Sequence, residues 1–452
     1  MLFRFSDFAH LFLFRGFCFS CFPDCSFYFF VLSISSMDLR PRCSGKVDQL
    51  IQRGVNLPSP LTLDIGEEVR MEQISGRGVT IYPGCRIYGE KTVIASGAQI
   101  GYEGPVTIEN CQIGPEVELK GGFFKESLFL EKASMGPGAQ VREGCILEEQ
   151  ASGGHCVGLK QTILFPFVTL GSLINFCDCL MAGGTSRQDH SEVGSSYIHF
   201  NFTPDGDKTT PSLIGDVPRG VMLNQRPIFL GGQGGMVGPL RMGYGNVVAA
   251  GAILREDIVE ENKLIMGEPH EGRILGYEPH RYSGLRRIVE NNVLYLANLI
   301  ALEQWQIHVR RLFFTGQEFG DLLHAGAMDK LSMAKQERTA RLKAMADKMP
   351  DTLDHSSMRR TGIRRKEFHD RVSELIGIFS TELPADLGAE ERDRFLESFL
   401  RQRAAHPGVY VDLIRSLPAT VTESGSRWLQ EIVDALCHQA SALLPSLEMF
   451  KK

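Results

Sequence analysis

Aliphatic residues return every sixth position through the middle of this 452-residue chain. Leu63, Val69, Ile81, Ile87 and Val93 share one frame, with Ser75 as its polar member. Ile94, Ile100 and Val106 form a second frame, and Met236, Met242, Val248 and Leu254 a late one. Glycine often follows an aliphatic residue, as in Ile100-Gly101, Ile113-Gly114, Leu170-Gly171 and Met242-Gly243. A helix repeats near 3.6 residues and a half-buried strand near 2, so neither alone produces a beat of six. A solenoid does: each hexapeptide is a short strand, its aliphatic residue points inward, and the next small residue turns a corner. The spacing predicts stacked coils from about Leu61 to Glu268. Slips of phase near 93/94, 121–134 and 200–232 mark places where the chain leaves the coil, and such loops often carry function.

The beat stops after about residue 280. Leu285, Ile288, Val289, Val293, Leu296 and Ile300 follow helical spacing, as do Phe368, Val372, Leu375 and Phe379, then Trp428, Ile432 and Ala435. Of 47 glycines, 38 precede residue 281, so the halves differ in kind. The expected organisation is a lead-in over 37–60, a β-solenoid over 61–275 with an inserted loop at about 183–235, and an α-helical domain over 276–452. The helical part shows no catalytic spacing. Its basic stretch, Arg359-Arg360 and Arg364-Arg365-Lys366, reads as a solvated helix face, and packing or oligomerisation is the default role.

Composition narrows the classes. A net charge of −6 argues against a general nucleic-acid binder. Residues 1–36 hold 11 of the 28 Phe, yet Asp7, Arg15, Pro23 and Asp24 interrupt every apolar run, so no membrane span is expected. A misplaced start is the expectation there, with Met37 as first residue; a weak secretory segment is the alternative. The later cysteines are scattered, as reduced, buried thiols of a cytoplasmic protein would be. Cys177 and Cys179 lack a second pair, so no metal is required.

The densest polar stretch is the expected insertion. It holds Thr185-Ser186-Arg187-Gln188-Asp189-His190, then His199-Phe200-Asn201, Asp205-Gly206-Asp207-Lys208, Asp216-Val217-Pro218-Arg219 and Asn224-Gln225-Arg226. Loops on a rigid scaffold are where sites concentrate. Histidine, carboxylates, Lys208 and arginine together suit a phosphorylated or sugar ligand and a general base. Arg219 and Arg226 are the anion candidates, because arginine grips phosphate with two donors. Gly231-Gly232-Gln233-Gly234-Gly235 reads either as a phosphate cradle or as re-entry into the coil.

The repeat run resembles the hexapeptide-repeat, left-handed parallel β-helix family. Within it, Asn201-Phe202, Asp205-Gly206, Lys208 and Ile214-Gly215-Asp216, followed by Val237-Gly238-Pro239-Leu240-Arg241-Met242-Gly243 and Ala249-Ala250-Gly251, is similar to the acetyltransferase half of the bifunctional enzyme making UDP-N-acetylglucosamine. The stretch YIHFNFTPDGDKTTPSLIGDVPRGVMLNQRPIFLGGQGG also resembles bacterial proteins named UDP-N-acetylglucosamine pyrophosphorylase. The likeness covers about residues 60–275 and leaves out the helices. It implies a homotrimer with sites between subunits, and acetyl-CoA or another acyl-CoA along Ala249, Ala250 and Gly251. The acceptor it implies is a phosphorylated or nucleotide-linked amino sugar, held by Asn201, Asp205, Lys208 and Asn224 with Arg219 and Arg226 at phosphates. It also implies a histidine that takes the proton of the sugar amine. That place falls at Pro166, in FPFVTLG, and proline is no base. His199, beside Asn201, is the substitute, with His190 second.

Two functions stay open: acyl transfer to an amino sugar, and a non-catalytic sugar-nucleotide-binding scaffold or sensor whose helices engage a protein partner. A carbonic-anhydrase-like metal site of His155, His190 and His199 is a third reading without supporting spacing. Leu180-Met181-Ala182-Gly183-Gly184-Thr185-Ser186-Arg187 resembles a nucleotidyltransferase phosphate loop, but it sits inside the repeat and lacks one residue of the spacing, and is read as coincidence.

Overall fold

The computed structural model describes residues 41–451, apart from 268–271, 273, 275, 278, 281, 283 and 350–359. The segment 1–36 and Arg359 lie outside the described residues. From Asp64–Ile65 to Leu264–Ile265 the chain winds into the expected β-solenoid of parallel strands. Thr80 lies over Gln99, Gln99 over Glu118 and Phe229 over Val247, so one coil takes about three hexapeptides. The aliphatic frame is buried, from Leu63 and Val69 through Ile100 and Val106 to Met242 and Val248.

The phase slip has a physical cause. On one face the inward column runs Ile74, Ile94, Ile113, Phe129, Leu147, Leu164, Met181, Ile214 and Met242, each above the next. Ser75 and Val93 are neighbours of that column rather than members. Val93 begins the outward column of the same face, which continues through Gln112, Leu128, Ile146, Ile163, Leu180 and Leu213. Most of these outward residues are apolar and all are buried. Something must cover them.

The helices do. Helix α1 (Ser44–Gln52) closes the first coil, and α2 (Val217–Gly220) is a short turn beside the late coils. The remaining helices are α3 (Leu285–Trp305), α4 (Arg311–Phe314), α5 (Gly320–Asp347), α6 (Arg360–Ser380), α7 (Ala389–Ala405), α8 (Tyr410–Ser416) and α9 (Ala419–Leu443). Helix α5 has 28 residues, about 42 Å of rise, enough to cross roughly nine coils stacked ~4.8 Å apart. It packs on the strands Gln112–Ile113, Ser127–Phe129 and Cys145–Leu147. Just before it, Glu318 accepts from Ser75 Oγ at 2.9 Å; just after it, Lys348 donates to the Asp205 carbonyl. Helix α3 lies between the coils and α9 and is buried along most of its length. Among the described residues no helix is long and apolar enough to cross a membrane.

Two arginines on this seam are 1% exposed. Arg338 of α5 pairs with Asp178 at 2.6 Å, and Arg310, in the π-helical turn Gln306–Arg310 between α3 and α4, pairs with Glu149 at 2.6 Å. The Arg310 guanidinium also lies 3.7 Å from the Tyr410 ring centre. The adjacent Glu148 is buried, and burial pushes its carboxyl up to about 8.

Two stability measurements test this layout. Ile146→Ala should lower urea-unfolding stability by about 2–5 kcal/mol, as for a core position, whereas an uncovered solenoid face would give a change within about 0.5 kcal/mol. Glu148 is protonated in the fold at neutral pH and titrates near 4.5 when unfolded, so its contribution is complete below 4.5 and is lost as pH rises through about 8. The urea midpoint of Glu148→Gln should therefore fall less between about pH 6 and 9 than that of the parent.

Candidate functional site

The stretch from 183 to 235 leaves the coil three times, with the strands Glu192–Val193, Ile198–Phe200, Ser212–Ile214 and Phe229–Leu230 between the excursions. The first is an antiparallel hairpin of Gly184–Ser186 and Asp189–His190. Gly184 has φ +96°, and a Cβ there would come within 2.5 Å of the His190 Cα. The glycines of Leu180–Arg187 thus shape a hairpin, not a phosphate loop opening a helix. Residues 231–235 re-enter the coil: Gln233 donates its N–H to the Ser195 carbonyl, and Cβ atoms on Gly232 and Gly234 would press on the backbone of Ser195 and Ala252.

Pro166 stands at a coil corner. Corner residues Gly97, Glu116, Lys132, Gln150 and Phe167 all have φ between +55° and +75°. Each donates its N–H to a carbonyl at the corner of the coil before it: Arg77, Ser96, Pro115, Glu131 and Glu149 respectively. Proline suits the position before a left-handed residue in such a turn, because its ring presets φ. Pro115-Glu116 and Pro166-Phe167 use the same device. Proline at 166 is thus explained by the turn, and the side chain is buried.

His199 is the middle residue of Ile198–Phe200, so strand alternation points it into the coil. It is 1% exposed. Its Nδ1 lies 2.6 Å from the Cys177 carbonyl and its Nε2 2.8 Å from Ser212 Oγ, so both ring nitrogens are occupied. Burial lowers its pKa to about 4. This is the setting of a structural histidine, sealed from any ligand of the single chain. His190 is on the hairpin, part-exposed, with Nε2 4.0 Å from a Glu192 carboxylate oxygen and, among the described residues, no partner for Nδ1.

The loop between Phe200 and Ser212 is held by the helices. Asn201 donates to Asp178 at 3.2 Å, the same carboxylate that pairs with Arg338. Arg338 also donates to the Lys208 carbonyl at 3.2 Å. The Asn201 side chain and the Lys208 backbone are therefore brought together around the Asp178–Arg338 pair. Asp205 faces elsewhere, accepting from the His280 N–H at 3.1 Å, while Asp207 accepts from the Tyr282 and Thr209 hydroxyls. Asn292 of α3 donates to the Thr209 carbonyl.

The arginine candidates form a second cluster. Arg219, on α2, is engaged by Asp216 at 2.5 Å and Glu261 at 2.6 Å and lies over the Tyr244 ring, so its charge is compensated. Arg226 donates to Asn262 at 2.8 Å and remains exposed, and Asn224 donates to Thr422 of α9 at 3.3 Å. Ala249, Ala250 and Gly251 make an outer corner of the coil; Ala250 and Gly251 are exposed, with open space where a Gly251 Cβ would project. Among the described residues no group of three His, Cys, Asp or Glu is placed to hold a metal ion. Burial pushes the Cys177 thiol up to about 11, which disfavours a thiolate ligand. Asp178, Arg338, Tyr244 and Glu261 were not among the expected site residues. Asp178 is marked in the sequence only by its flanking cysteines, and Arg338 lies 160 residues away with no local pattern joining them.

Three curated proteins, each named Bifunctional protein GlmU, are similar to this chain. The protein of Thermotoga maritima is 28% identical over 214 residues, that of Lawsonia intracellularis 30% over 220, and that of Staphylococcus haemolyticus 27% over 212. Each alignment covers 47% of this chain and 42% of the relative, so the chain spans less than half the length of the curated relatives it matches. No family model matches the chain. Over the aligned part it is a hexapeptide-repeat relative of these proteins.

The Arg338–Asp178 pair is the testable hinge of the site. Arg338→Met leaves a buried carboxylate unpaired and should cost about 3–5 kcal/mol in urea unfolding, while adding Asp178→Asn should recover much of the loss.

Proposed function

We propose that this chain serves sugar-nucleotide metabolism by binding a phosphorylated or nucleotide-linked amino sugar on its late coils, without the histidine base that the resemblance implies. One observation carries the reading. The position of that base is a buried corner proline, and His199, on the strand that leads into the site loop, is enclosed with both ring nitrogens bonded. Such an arrangement retains binding groups and offers no proton acceptor at either of these two positions. Lys208, part-exposed on the site loop, and Arg226, exposed at the second cluster, are the cations left for phosphate oxygens.

A second reading is acyl transfer, favoured by His190 with Glu192 4.0 Å from its Nε2 on an open hairpin. Acetyl-CoA supplies a thioester-activated acyl group when bound. The uncrowded corner at Ala250 and Gly251, flanked by exposed Val247 and Ile253, suits a narrow pantetheine arm.

A homotrimer would cover the outward apolar residues of the two remaining faces: Ile198, Phe200 and Ile253 on one, and Phe229, Val247 and Leu264 on the other. The helices already lie on this chain's own solenoid. A cytoplasmic location is supported by eight described cysteines that are all free.

Calorimetric titration separates the readings. Binding of UDP-N-acetylglucosamine, weakened about tenfold or more by Lys208→Ala, with no acetyl transfer from acetyl-CoA to glucosamine phosphate, is the expected result. Transfer that disappears in His190→Ala would put the second reading in place of the first.

A further inference from the structure

Away from the solenoid site, a cavity of about 390 Å³ opens where the last coils meet the start of α3 and the start of α6. Arginines of two helices converge on it: Arg286 and Arg287 from the first turn of α3, and Arg364 from α6. Two acids line it as well. Both are already engaged: Glu290 lies 3.2 Å from Arg241 Nη2, and Asp257 lies 3.2 Å from Arg241 Nε while accepting from Asn291. Arg241 thus takes up much of their charge from behind the wall.

The three lining arginines are less well compensated. Arg287 donates to the Pro239 carbonyl and has no carboxylate within ion-pair distance among the described residues. Arg286 makes two long contacts, 3.4 Å to Glu290 and 3.4 Å to the Lys451 carbonyl. Arg364 donates to the Ser446 carbonyl and to Glu448, both at 2.9 Å. A guanidinium has five N–H donors, so each keeps donors to spare. The first turn of α3 also carries no acidic residue and no side-chain cap. Like charges held together in a concave wall raise the potential there, and an anion relieves it.

We propose that this cavity binds a phosphorylated small molecule, through Arg286, Arg287 and Arg364. Arginine matches phosphate oxygens with paired N–H donors, and the volume exceeds a bare phosphate and suits a sugar phosphate or a diphosphate with its substituent. Among the described residues its three arginines make no contact with the solenoid loop, although Tyr282, which also lines the cavity, donates to Asp207 of that loop. The site places ligand contacts on both α3 and α6, so occupancy stabilises the junction of these helices by binding the folded form.

The probe is inorganic pyrophosphate, titrated into the full chain at low ionic strength and followed by calorimetry and by thermal melting. Saturable binding and a rise in Tm are expected. Arg287→Gln with Arg364→Gln should weaken binding at least tenfold, and Lys343→Gln, on an exposed turn of α5, should leave it unchanged. If the double variant melts early, Arg364→Gln alone should still weaken binding severalfold. No saturable binding at millimolar pyrophosphate, or equal affinity in parent and Arg variants, would overturn the proposal. Lys208→Ala must leave this binding intact; loss there would assign the pyrophosphate to the solenoid loop instead.

Discussion

Arg338 and Arg310 are the charges the rest of the molecule is arranged around, because each is buried where the helices meet the coils. Taking a guanidinium out of water costs several kcal/mol, recovered only when a carboxylate meets it in good geometry. Each finds one partner on the solenoid, Asp178 and Glu149. A helix displaced along the coils by one turn would strand both cations. The apolar outward column from Leu128 to Leu213 attracts α5 and α3 without direction, and the two ion pairs select the register in which they lie. Hydrophobic area drives the contact; buried charge specifies it.

That register reaches the site. With α5 in place, Arg338 takes the Asp178 carboxylate on one side and the Lys208 carbonyl on the other, and Asn201 joins the same carboxylate. The loop is then held by the helical half rather than free over the coil. His199 is sealed beneath by Cys177 and Ser212, whose partners are dictated by strand alternation. Turn chemistry acts at Pro166 in the same direction, since a corner that needs a left-handed residue welcomes a proline before it. Structural demands thus occupy two of the three places where a proton acceptor was expected, leaving His190.

The arginines divide by compensation. Arg219 has two carboxylates and an aromatic face, and little positive potential remains for a ligand. Among the described residues Arg287 meets only a carbonyl, and it stands beside two further guanidinium groups. Residue type alone ranked Arg219 and Arg226 as the anion candidates and read the basic stretch Arg359-Arg360 and Arg364-Arg365-Lys366 as a solvated face. Neighbouring charge separates Arg219 from Arg287, and neighbouring charge is a property of the folded chain.

The six-residue beat determined the solenoid by itself, because inward and outward placement is a local matter of alternation and corner. The helical half was equally legible from its spacing. The apolar pairs Leu128-Phe129, Ile146-Leu147, Ile163-Leu164, Leu180-Met181 and Leu213-Ile214 also carried a signal: a strand apolar on both sides is covered on both sides. Which segment covers it was decided only by tertiary structure. Glu149 and Arg310 stand 161 residues apart, and Asp178 and Arg338 stand 160 apart. No periodicity links such partners, since pairing across the seam depends on how two independently regular surfaces fit. The same fit decided whether each candidate in the loop faced a ligand, a helix or the core.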